Sequence, residues 1–229
     1  MRTDAVLPVK RFAQAKQRLG ASVADPLRLS LARAMVADVL RALSQAAAVQ
    51  RTIVVTSEKA VALAAREQGA IVLDDQAEGG QSAAVTLGVQ RAIGEGFERV
   101  LCVPGDCPAL DPAELDGLLR AQPAGSGSEL VIMPDRHGSG TNGLLLTPPD
   151  AIAPSFGPGS CVRHRELALA AGVICRIERL PSLLFDVGTG ADLAALRELL
   201  AGRGARASST RAVLGQGERP DILSITTSA

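Results

Sequence analysis

The sequence is poor in aromatic side chains, with four phenylalanines and neither tryptophan nor tyrosine among its 229 residues. Proteins that hold single-stranded nucleic acids stack the bases on aromatic rings, so this scarcity argues against such binding. An excess of charge of either sign is also missing, because 24 lysines and arginines balance 24 aspartates and glutamates. A neutral chain offers no basic surface for nucleic acid and no acidic block of the kind found in disordered tails.

Cysteines and long apolar runs are also scarce. The four cysteines form no C-x-x-C pair, which makes structural zinc improbable. No apolar run reaches the roughly 18 residues that a membrane span needs, and the chain starts in a strand-like run instead of a signal peptide. We therefore expect a protein of the reducing cytoplasm, with thiols instead of disulfides and with no membrane partner.

Short apolar runs alternate with amphipathic segments over most of the chain. Apolar residues four apart from Leu27 to Leu43 predict a helix with Pro26 in its first turn. Residues 166–171 predict the last part of a helix that ends at Gly172, and residues 183–185 predict a strand. This alternation predicts an α/β fold with a mostly parallel central sheet. Residues 1–201 suit one such domain, and residues 202–229, rich in glycine, arginine, serine and threonine, predict a tail that is flexible or docks on a neighbour.

Two acids follow predicted strands. Residues 99–110 read R-V-L-C-V-P-G-D-C-P-A-L, a short buried strand that ends in Pro-Gly and presents Asp106. A carboxylate at such a strand end lies where open α/β sheets bind ligands, and it can hold a divalent cation against a phosphate. Asp186 follows residues 183–185 and would share that cation. The alternatives are that Asp106 caps a turn or helix and that Asp186, or Asp192, caps the helix that follows.

A cluster of cations comes directly after the first strand. Lys10, Arg11, Lys16 and Arg18 lie within nine residues, and ammonium and guanidinium groups can neutralise several phosphate oxygens at once. The chain contains neither a P-loop nor a dinucleotide fingerprint. The cluster therefore predicts phosphate contacts of another kind, with a solvated basic loop as the alternative.

Three glycine-rich loops offer backbone N–H groups and hydroxyls to an anion. The first is G-G-Q-S at residues 79–82, where a helix begins and where the alternative for Ser82 is a plain N-cap. The others are P-D-R-H-G-S-G-T-N-G at residues 134–143 and S-F-G-P-G-S at residues 155–160. A turn-rich connection is the alternative for the second loop. His137 and His164 lie beside these loops, and we assign them hydrogen bonding and no metal.

Taken in order over about residues 5–200, these blocks resemble the 2-phospholactate guanylyltransferase family of deazaflavin coenzyme (F-420) biosynthesis, the CofC/FbiD type. The blocks at residues 134–146 and 156–160 together make the resemblance specific. The blocks are P-V-K-R-x-x-x-A-K-x-R-L at 8–19, V-P-G-D-C-P-A-L at 103–110, P-D-R-H-G-S-G-T-N-G-L-L-L at 134–146, F-G-P-G-S at 156–160 and D-V-G-T-x-x-D-L at 186–193.

The resemblance implies a nucleotidyltransferase fold of the GT-A type, a Rossmann-like three-layer sandwich. It also implies that GMP passes from GTP to a three-carbon phospho-acid with release of pyrophosphate. Within the family the acceptor is 2-phospho-L-lactate, phosphoenolpyruvate or 3-phospho-D-glycerate, and a downstream transferase is an expected partner. A homodimer is an open expectation. By position, the implied site residues are Asp106 and Asp186 as Mg²⁺ ligands, Thr141, Gly157 and Ser160 for the acceptor, Lys10, Lys16 and Arg18 for the triphosphate, and Gly80, Gln81 and Ser82 for the nucleotide.

The sequence departs from the family pattern at three places. V-P-G-D-C-P at residues 103–108 stands where the family usually has L-P-A-D-L-P, which puts Cys107 beside Asp106. Gln81 and Ser82 follow Gly80 where the family has G-L-N, and Gly188 stands where a second acid is often found. Two other functions stay open at this point. One is nucleotidyl transfer to another acceptor, a molybdopterin or a sugar phosphate, although the glycine-rich opening loop usual for such enzymes is replaced by Pro-Val-Lys at residues 8–10. The other is a non-catalytic nucleotide-binding module, against which the intact acids argue.

Overall fold

The computed structural model describes residues 1–12, 19–20, 23–121, 125, 127–202 and 206–216. In this part of the chain seven strands form one sheet, in the order β3-β2-β1-β4-β6-β5-β7. Neighbouring strands are parallel except that β6 runs antiparallel to both β4 and β5. The mostly parallel sheet is therefore confirmed. The strands are β1 Thr3–Val9, β2 Arg51–Thr56, β3 Ile71–Leu73, β4 Arg99–Cys102, β5 Glu129–Pro134, β6 Thr141–Thr147 and β7 Ile174–Ile177.

Helices cover both faces of the sheet. Side chains of β1 alternate between them: Leu7 packs with α1, α2 and α4 on one face, and Val6 packs with α3 and α5 on the other. Helix α3 approaches most closely at Gly88, where a Cβ would lie 2.5 Å from Val6 Cγ1. This arrangement confirms the three-layer sandwich. The helices are α1 Asp25–Gln45, α2 Lys59–Glu67, α3 Gln81–Gly94, α4 Pro112–Arg120, α5 Ser160–Ala170, α6 Gly190–Ala201 and α7 Ser208–Gln216.

One edge of the sheet collects the loops that the sequence singles out. Strands β1, β2 and β4 are parallel, so the segments that follow them leave the sheet at the same edge. Strand β6 is antiparallel to β4 and therefore begins there. Lys10, Asp106 and Thr141 consequently lie at the carboxyl edge, where open α/β sheets bind their ligands.

One local prediction, a strand, is wrong. Residues 183–185 do not form a strand, because the segment Pro181–Leu183 forms a 3-10 turn with proline at its start. Helix α5 begins at Ser160, after Gly159 in the left-handed conformation, and runs to Ala170, which confirms the helix predicted to end before Gly172. The first turns of α5 bury Ser160, Cys161 and His164, so a search for apolar residues at helical spacing does not detect them.

The prediction of a flexible tail is wrong for residues 208–216, which form helix α7 on the surface of α1. Buried Asp38 of α1 accepts the backbone N–H groups of Ser209 (3.0 Å) and Thr210 (2.8 Å). Apolar side chains of α1, α6 and α7 form a separate small core beside this contact. A short polar helix lacks a strong sequence signal because most of its stability comes from this docking. No helix in the described ranges is both long and apolar enough for a membrane crossing.

Candidate active site

The loops that carry Asp106 and Asp186 meet at the carboxyl edge. The backbone N–H of Val187 donates to the carbonyl oxygen of Asp106 at 3.1 Å, and both acids are half-buried. Neither acid is the N-cap of α4 or α6, the described helices that follow them. Asp111 caps α4 by accepting the N–H of Ala113, and a capping box of Thr189 and Asp192 begins α6. The helix-cap alternatives are therefore wrong for Asp106 and Asp186 and correct for Asp192.

Asn142 is a site residue that the sequence reasoning missed. Its buried side-chain amide donates to the carbonyl oxygen of Leu183 at 2.7 Å and to Asp186 Oδ1 at 3.2 Å. Both amide hydrogens are used, so Asn142 positions the carboxylate of Asp186 and the turn before it. In the sequence, the feature that could have indicated Asn142 is the Asn-Gly pair directly after Thr141 in the glycine-rich loop.

The acids at this edge suit a magnesium ion shared with a substrate. Within the described ranges no cluster of three or more histidine, cysteine, aspartate or glutamate side chains forms a cage for a metal. Mg²⁺ is usually held by one or two carboxylates together with substrate phosphates and waters. Asp106 and Asp186 fit this requirement. The N–H of Gly188, where the family often has another acid, donates to Asp192 Oδ2 at 3.1 Å and serves the helix cap instead.

Thr141 and the loop of residues 155–159 are joined through one imidazole. His164 is fully buried; its Nδ1 lies 3.0 Å from Thr141 Oγ1, and its Nε2 accepts the backbone N–H of Ser155 at 2.9 Å. Burial, assisted by the positive charge of Arg163, lowers the pKa of His164 to about 4. The ring is therefore neutral near pH 7 and acts as a hydrogen-bonding group, as expected for the histidines beside these loops.

The loop of residues 155–159 is shaped by Arg163 and by two glycines. The Arg163 guanidinium donates to the carbonyl oxygens of Ser155 and Phe156, both at 3.1 Å, and also to the Ser155 hydroxyl and the Pro158 carbonyl. Gly157 and Gly159 have φ angles of 112° and 71°, which side chains other than glycine rarely adopt. The loop thus places Gly157 beside the start of α5, where Ser160 is almost fully buried.

The loop of residues 135–140 is closed by one carboxylate. Asp135 accepts the N–H groups of Ser139 at 3.0 Å and Gly140 at 2.9 Å. A Cβ on Gly140 would lie 2.7 Å from Asp135 Oδ2, so the turn needs glycine there. The carbonyl of Ser139 accepts the N–H of Cys161 at 3.1 Å, which ties this loop to the first turn of α5.

A second contact ties the same loop to α6. Arg136 donates to Asp192 Oδ1 at 2.6 Å, and its backbone N–H donates to the Leu184 carbonyl at 2.9 Å. Burial raises the pKa of Asp192, but hydrogen bonds from Thr189 and the N–H of Gly188, with the charge of Arg136, outweigh it and hold that pKa below its usual value. Asp192 is therefore an ionised structural partner near the two predicted metal ligands.

The segment at the start of α3 touches the loop of residues 155–159. Gly80 is the N-cap residue of α3, with a φ of 92°, and no side chain among the described residues caps this helix. Ser82 is therefore not the N-cap. Its hydroxyl instead accepts the backbone N–H of Phe156 at 2.9 Å. The segment predicted to bind the nucleotide, Gly80 to Ser82 with Gln81 between them, thus adjoins the segment predicted to bind the acceptor.

Only part of the predicted triphosphate loop lies in the described ranges. Lys10 is exposed directly after β1, and its ammonium group makes no hydrogen bond or ion pair with any described residue. Arg11 forms an ion pair with Glu78 at 2.5 Å and donates to the Ser57 hydroxyl at 3.2 Å. Lys16 and Arg18 lie outside the described residues, so their phosphate contacts stay predictions.

Comparison with known sequences gives a consistent assignment. The family model for CofC-like guanylyl transferases matches residues 3–215. A protein of Conexibacter woesei is 50% identical over 216 residues, which cover 94% of this chain and 96% of that protein. A protein of Rubrobacter xylanophilus is 43% identical over 197 residues, which cover 86% and 94% of the two chains. Both relatives bear the name phosphoenolpyruvate guanylyltransferase.

Solved structures support the fold. A proposed nucleotide-diphospho-sugar transferase from Desulfovibrio desulfuricans superposes with a TM-score of 0.74 at 19% identity, covering 95% of this chain and 96% of that one. A nucleotidyl transferase from Methanothermobacter superposes with a TM-score of 0.63 at 20% identity, covering 87% and 98%. At these identities the likeness establishes the nucleotidyltransferase-type sandwich, while the family model and the sequence relatives establish the family. This chain therefore belongs to the CofC-like guanylyl transferases, as its motifs indicated.

Proposed function

We propose that this protein joins GMP from GTP to the phosphate of phosphoenolpyruvate and releases pyrophosphate, as a step of coenzyme F-420 biosynthesis. Phosphoenolpyruvate is favoured over 2-phospho-L-lactate and 3-phospho-D-glycerate because the relatives at 50% and 43% identity carry its name. A molybdopterin or sugar-phosphate acceptor lacks such support, and a non-catalytic module is disfavoured by membership in a family of transferases.

The observation that carries the proposal is that two groups of residues meet at one edge of the sheet. One group is the acids Asp106 and Asp186, and the other is the set of uncharged residues predicted to bind the acceptor. The loops of Asp106 and Asp186 are hydrogen-bonded to each other there. Asn142 contacts Asp186, and its neighbour Thr141 contacts His164, which holds the loop of residues 155–159. A metal-bound triphosphate and a small phosphorylated acid would thus lie side by side.

The proposed reaction needs no general base. A phosphate monoester has a second pKa of about 6 and is largely dianionic at neutral pH, so its oxygen is already a nucleophile. That oxygen attacks the α-phosphorus of GTP; a new P–O bond forms there, and pyrophosphate leaves with the electron pair of the broken bond. His164 is neutral and fully engaged, which agrees with a reaction that needs no proton acceptor.

The obstacle to this reaction is repulsion between two polyanions, which enzymes overcome by positioning and by cations. Mg²⁺, when bound, would neutralise phosphate oxygens, and Asp106 and Asp186 are the residues that would hold it. Lys10 would add a positive charge on the β1 side. Thr141, Gly157 and Ser160 would hold the acceptor through neutral donors, which allows the product to leave.

The test is pyrophosphate release measured with GTP or ATP against a panel of acceptors. The panel contains the three phospho-acids and a sugar phosphate as the control. We expect the highest kcat/KM with GTP and phosphoenolpyruvate and no dependence on any protein partner. A higher kcat/KM with another phospho-acid would identify that acid, and not phosphoenolpyruvate, as the acceptor. Pyrophosphate release with the sugar phosphate alone would overturn the proposal.

The downstream transferase and the homodimer also stay predictions. Sedimentation of this protein, alone and with the enzyme that consumes its product, measures both. A single species at the monomer mass would count against the homodimer.

A further inference from the structure

We propose that His164 is a positioning residue of the acceptor site: it makes the Thr141 hydroxyl a hydrogen-bond donor directed at the anionic acceptor. This inference rests on the proposed function for the nature of that acceptor. It gives a specific role at the acceptor site to a buried side chain for which the sequence indicated hydrogen bonding without naming a partner.

A backbone amide sets the direction of the hydrogen bonds that run from Ser155 through His164 to Thr141. The N–H of Ser155 can only donate, and it donates to Nε2 of His164 at 2.9 Å. Nε2 therefore carries a lone pair, and the single ring proton of the neutral imidazole is on Nδ1. That proton points at Thr141 Oγ1, which lies 3.0 Å away. The imidazole consequently donates to the hydroxyl and does not accept from it.

The hydroxyl of Thr141 has one hydrogen of its own, and the contact with His164 does not use it. Because Nδ1–H occupies a lone pair of Oγ1, this remaining hydrogen is directed away from the ring. A phosphate or a carboxylate offers only acceptors at neutral pH. A hydroxyl that is set as a donor is thus complementary to either group of a small phosphorylated acid.

The surroundings keep the imidazole neutral. His164 is fully buried, packs edge-on against Phe156 with ring centroids 5.2 Å apart, and has the guanidinium of Arg163 nearby. Burial and this positive charge both disfavour a second ring proton. A protonated ring would lose its acceptor for the Ser155 N–H, and the loop of residues 155–159 would lose one of its attachments.

The same ring also sets the distance between the two parts of the acceptor site. Thr141 starts β6, whereas Gly157 lies in the loop before α5, and the imidazole bridges them from the second turn of that helix. His164 thus acts on the acceptor through Thr141 and through the loop, without touching it.

The first experiment reads the tautomer directly, in the wild-type protein and without turnover. The chain has two histidines, so the ¹⁵N spectrum of the imidazoles holds two spin systems, and His137→Gln identifies the one from His164. We expect His164 to be the neutral Nδ1–H tautomer at neutral pH. The Nε2–H tautomer, or an imidazolium, would overturn the inference.

The second experiment separates the two hydrogen bonds of the ring. In His164→Asn the amide reaches about the position of Nδ1 and keeps a donor for Thr141, whereas in His164→Gln it reaches about that of Nε2 and keeps an acceptor for Ser155. We expect His164→Gln to raise the KM for phosphoenolpyruvate about tenfold, as for a lost hydrogen bond to a charged group. We expect kcat and the KM for GTP to stay within about twofold. We expect His164→Asn, which loses only the bond to a loop that Arg163 also holds, to raise the KM for phosphoenolpyruvate less than His164→Gln does.

A double-variant cycle with Thr141 provides the control. Thr141→Val should raise the same KM by a similar factor, Thr141→Ser should restore it, and His164→Gln with Thr141→Val should be no worse than Thr141→Val alone. Additive effects, or equal losses for GTP and phosphoenolpyruvate, would mean a merely structural histidine. If the wild type shows the expected tautomer but no activity with phosphoenolpyruvate, the proposed acceptor is wrong. If the wild type is active with phosphoenolpyruvate but His164 is the other tautomer, only the proposed role of His164 is wrong.

Discussion

The carboxyl group of Asp106 is the group on which turnover should depend most. We expect Asp106→Asn to lose more than nine-tenths of the rate of pyrophosphate release, on the order of 1.4 kcal/mol or more in the barrier. The physical reason is that a neutral amide is a much weaker ligand for a divalent cation. The fold should stay intact, as checked by circular dichroism.

The matched control for this variant is Asp111→Asn. Asp111 lies five residues further along and caps α4, where asparagine serves equally well. The control should keep its activity. It should lose little stability, because the ion pair that asparagine cannot make with Arg206 is partly exposed. If Asp106→Asn retained more than about a tenth of the wild-type rate, the metal role of Asp106 would be rejected.

Asn142 should govern the affinity for the metal through Asp186. In Asn142→Ala the carboxylate loses a donor, and residues that orient a metal ligand typically contribute about 10- to 100-fold to metal affinity. We expect the Mg²⁺ concentration for half-maximal activity to rise by about that factor, with a smaller change in kcat at saturating Mg²⁺. An unchanged Mg²⁺ titration would contradict the positioning role.

The cysteines beside the site should be dispensable for chemistry. Cys102 and Cys107 are buried in the core, and burial raises the pKa of Cys102 above that of an ordinary thiol. A thiol that stays protonated is a poor nucleophile. We expect the double variant Cys102→Ala, Cys107→Ala to keep most of its kcat while losing some stability. Complete loss of activity in a folded double variant would contradict this prediction.

At the scale of elements, α7 depends on one carboxylate of α1. Asp38 accepts two N–H groups from the first turn of α7, and Arg41 pairs with Asp38 and donates to the hydroxyls of Ser208 and Ser209. The arrangement is an N-cap supplied from a different helix. It satisfies the amides of the first turn as a cap within the same helix would.

We therefore expect Asp38→Ala to lower the free energy of unfolding by about 1–2 kcal/mol, measured by denaturant titration. Asp38→Asn keeps one acceptor and should cost less. Because α7 contributes no residue to the candidate site, both variants should keep the wild-type KM for GTP. An unchanged unfolding midpoint in Asp38→Ala would show that α7 is held by its apolar contacts alone.

The elements differ in how clearly the sequence encodes them. Helix α1 was predictable because its apolar residues repeat at helical spacing along 21 residues. Helix α5 begins with buried polar residues whose partners lie in other loops, as His164 shows with Ser155. The 3-10 turn that replaces the expected strand is held by the amide of Asn142, a contact between residues 41 positions apart in the chain.

At the scale of the whole molecule, stability should fall with acid below pH 6.5. The pKa of His164 is 6.5 in an unfolded chain and about 4 in the folded protein. Between these values the unfolded state binds a proton that the folded state rejects, so this contribution to stability is present above pH 6.5 and is lost as the pH falls towards 4. The full difference corresponds to about 3 kcal/mol.

The comparison that isolates this effect is the unfolding free energy of the wild type and of His164→Gln between pH 7 and pH 5. Glutamine does not titrate, so the decrease in stability should be shallower in the variant. Both proteins share the titration of every other group. Parallel pH curves for the two proteins would show that His164 does not carry the acid sensitivity.

The sequence by itself determined the layers, the mostly parallel sheet and the family. Alternation within strands and apolar spacing within helices are local properties, and the family motifs are contiguous in the chain. The tertiary structure decided which residues act together. Asn142 reaches Asp186 and His164 reaches Thr141 across 44 and 23 positions of the chain. Such pairs arise where strand ends meet at one edge of a sheet, and no local pattern encodes hydrogen bonds between distant segments.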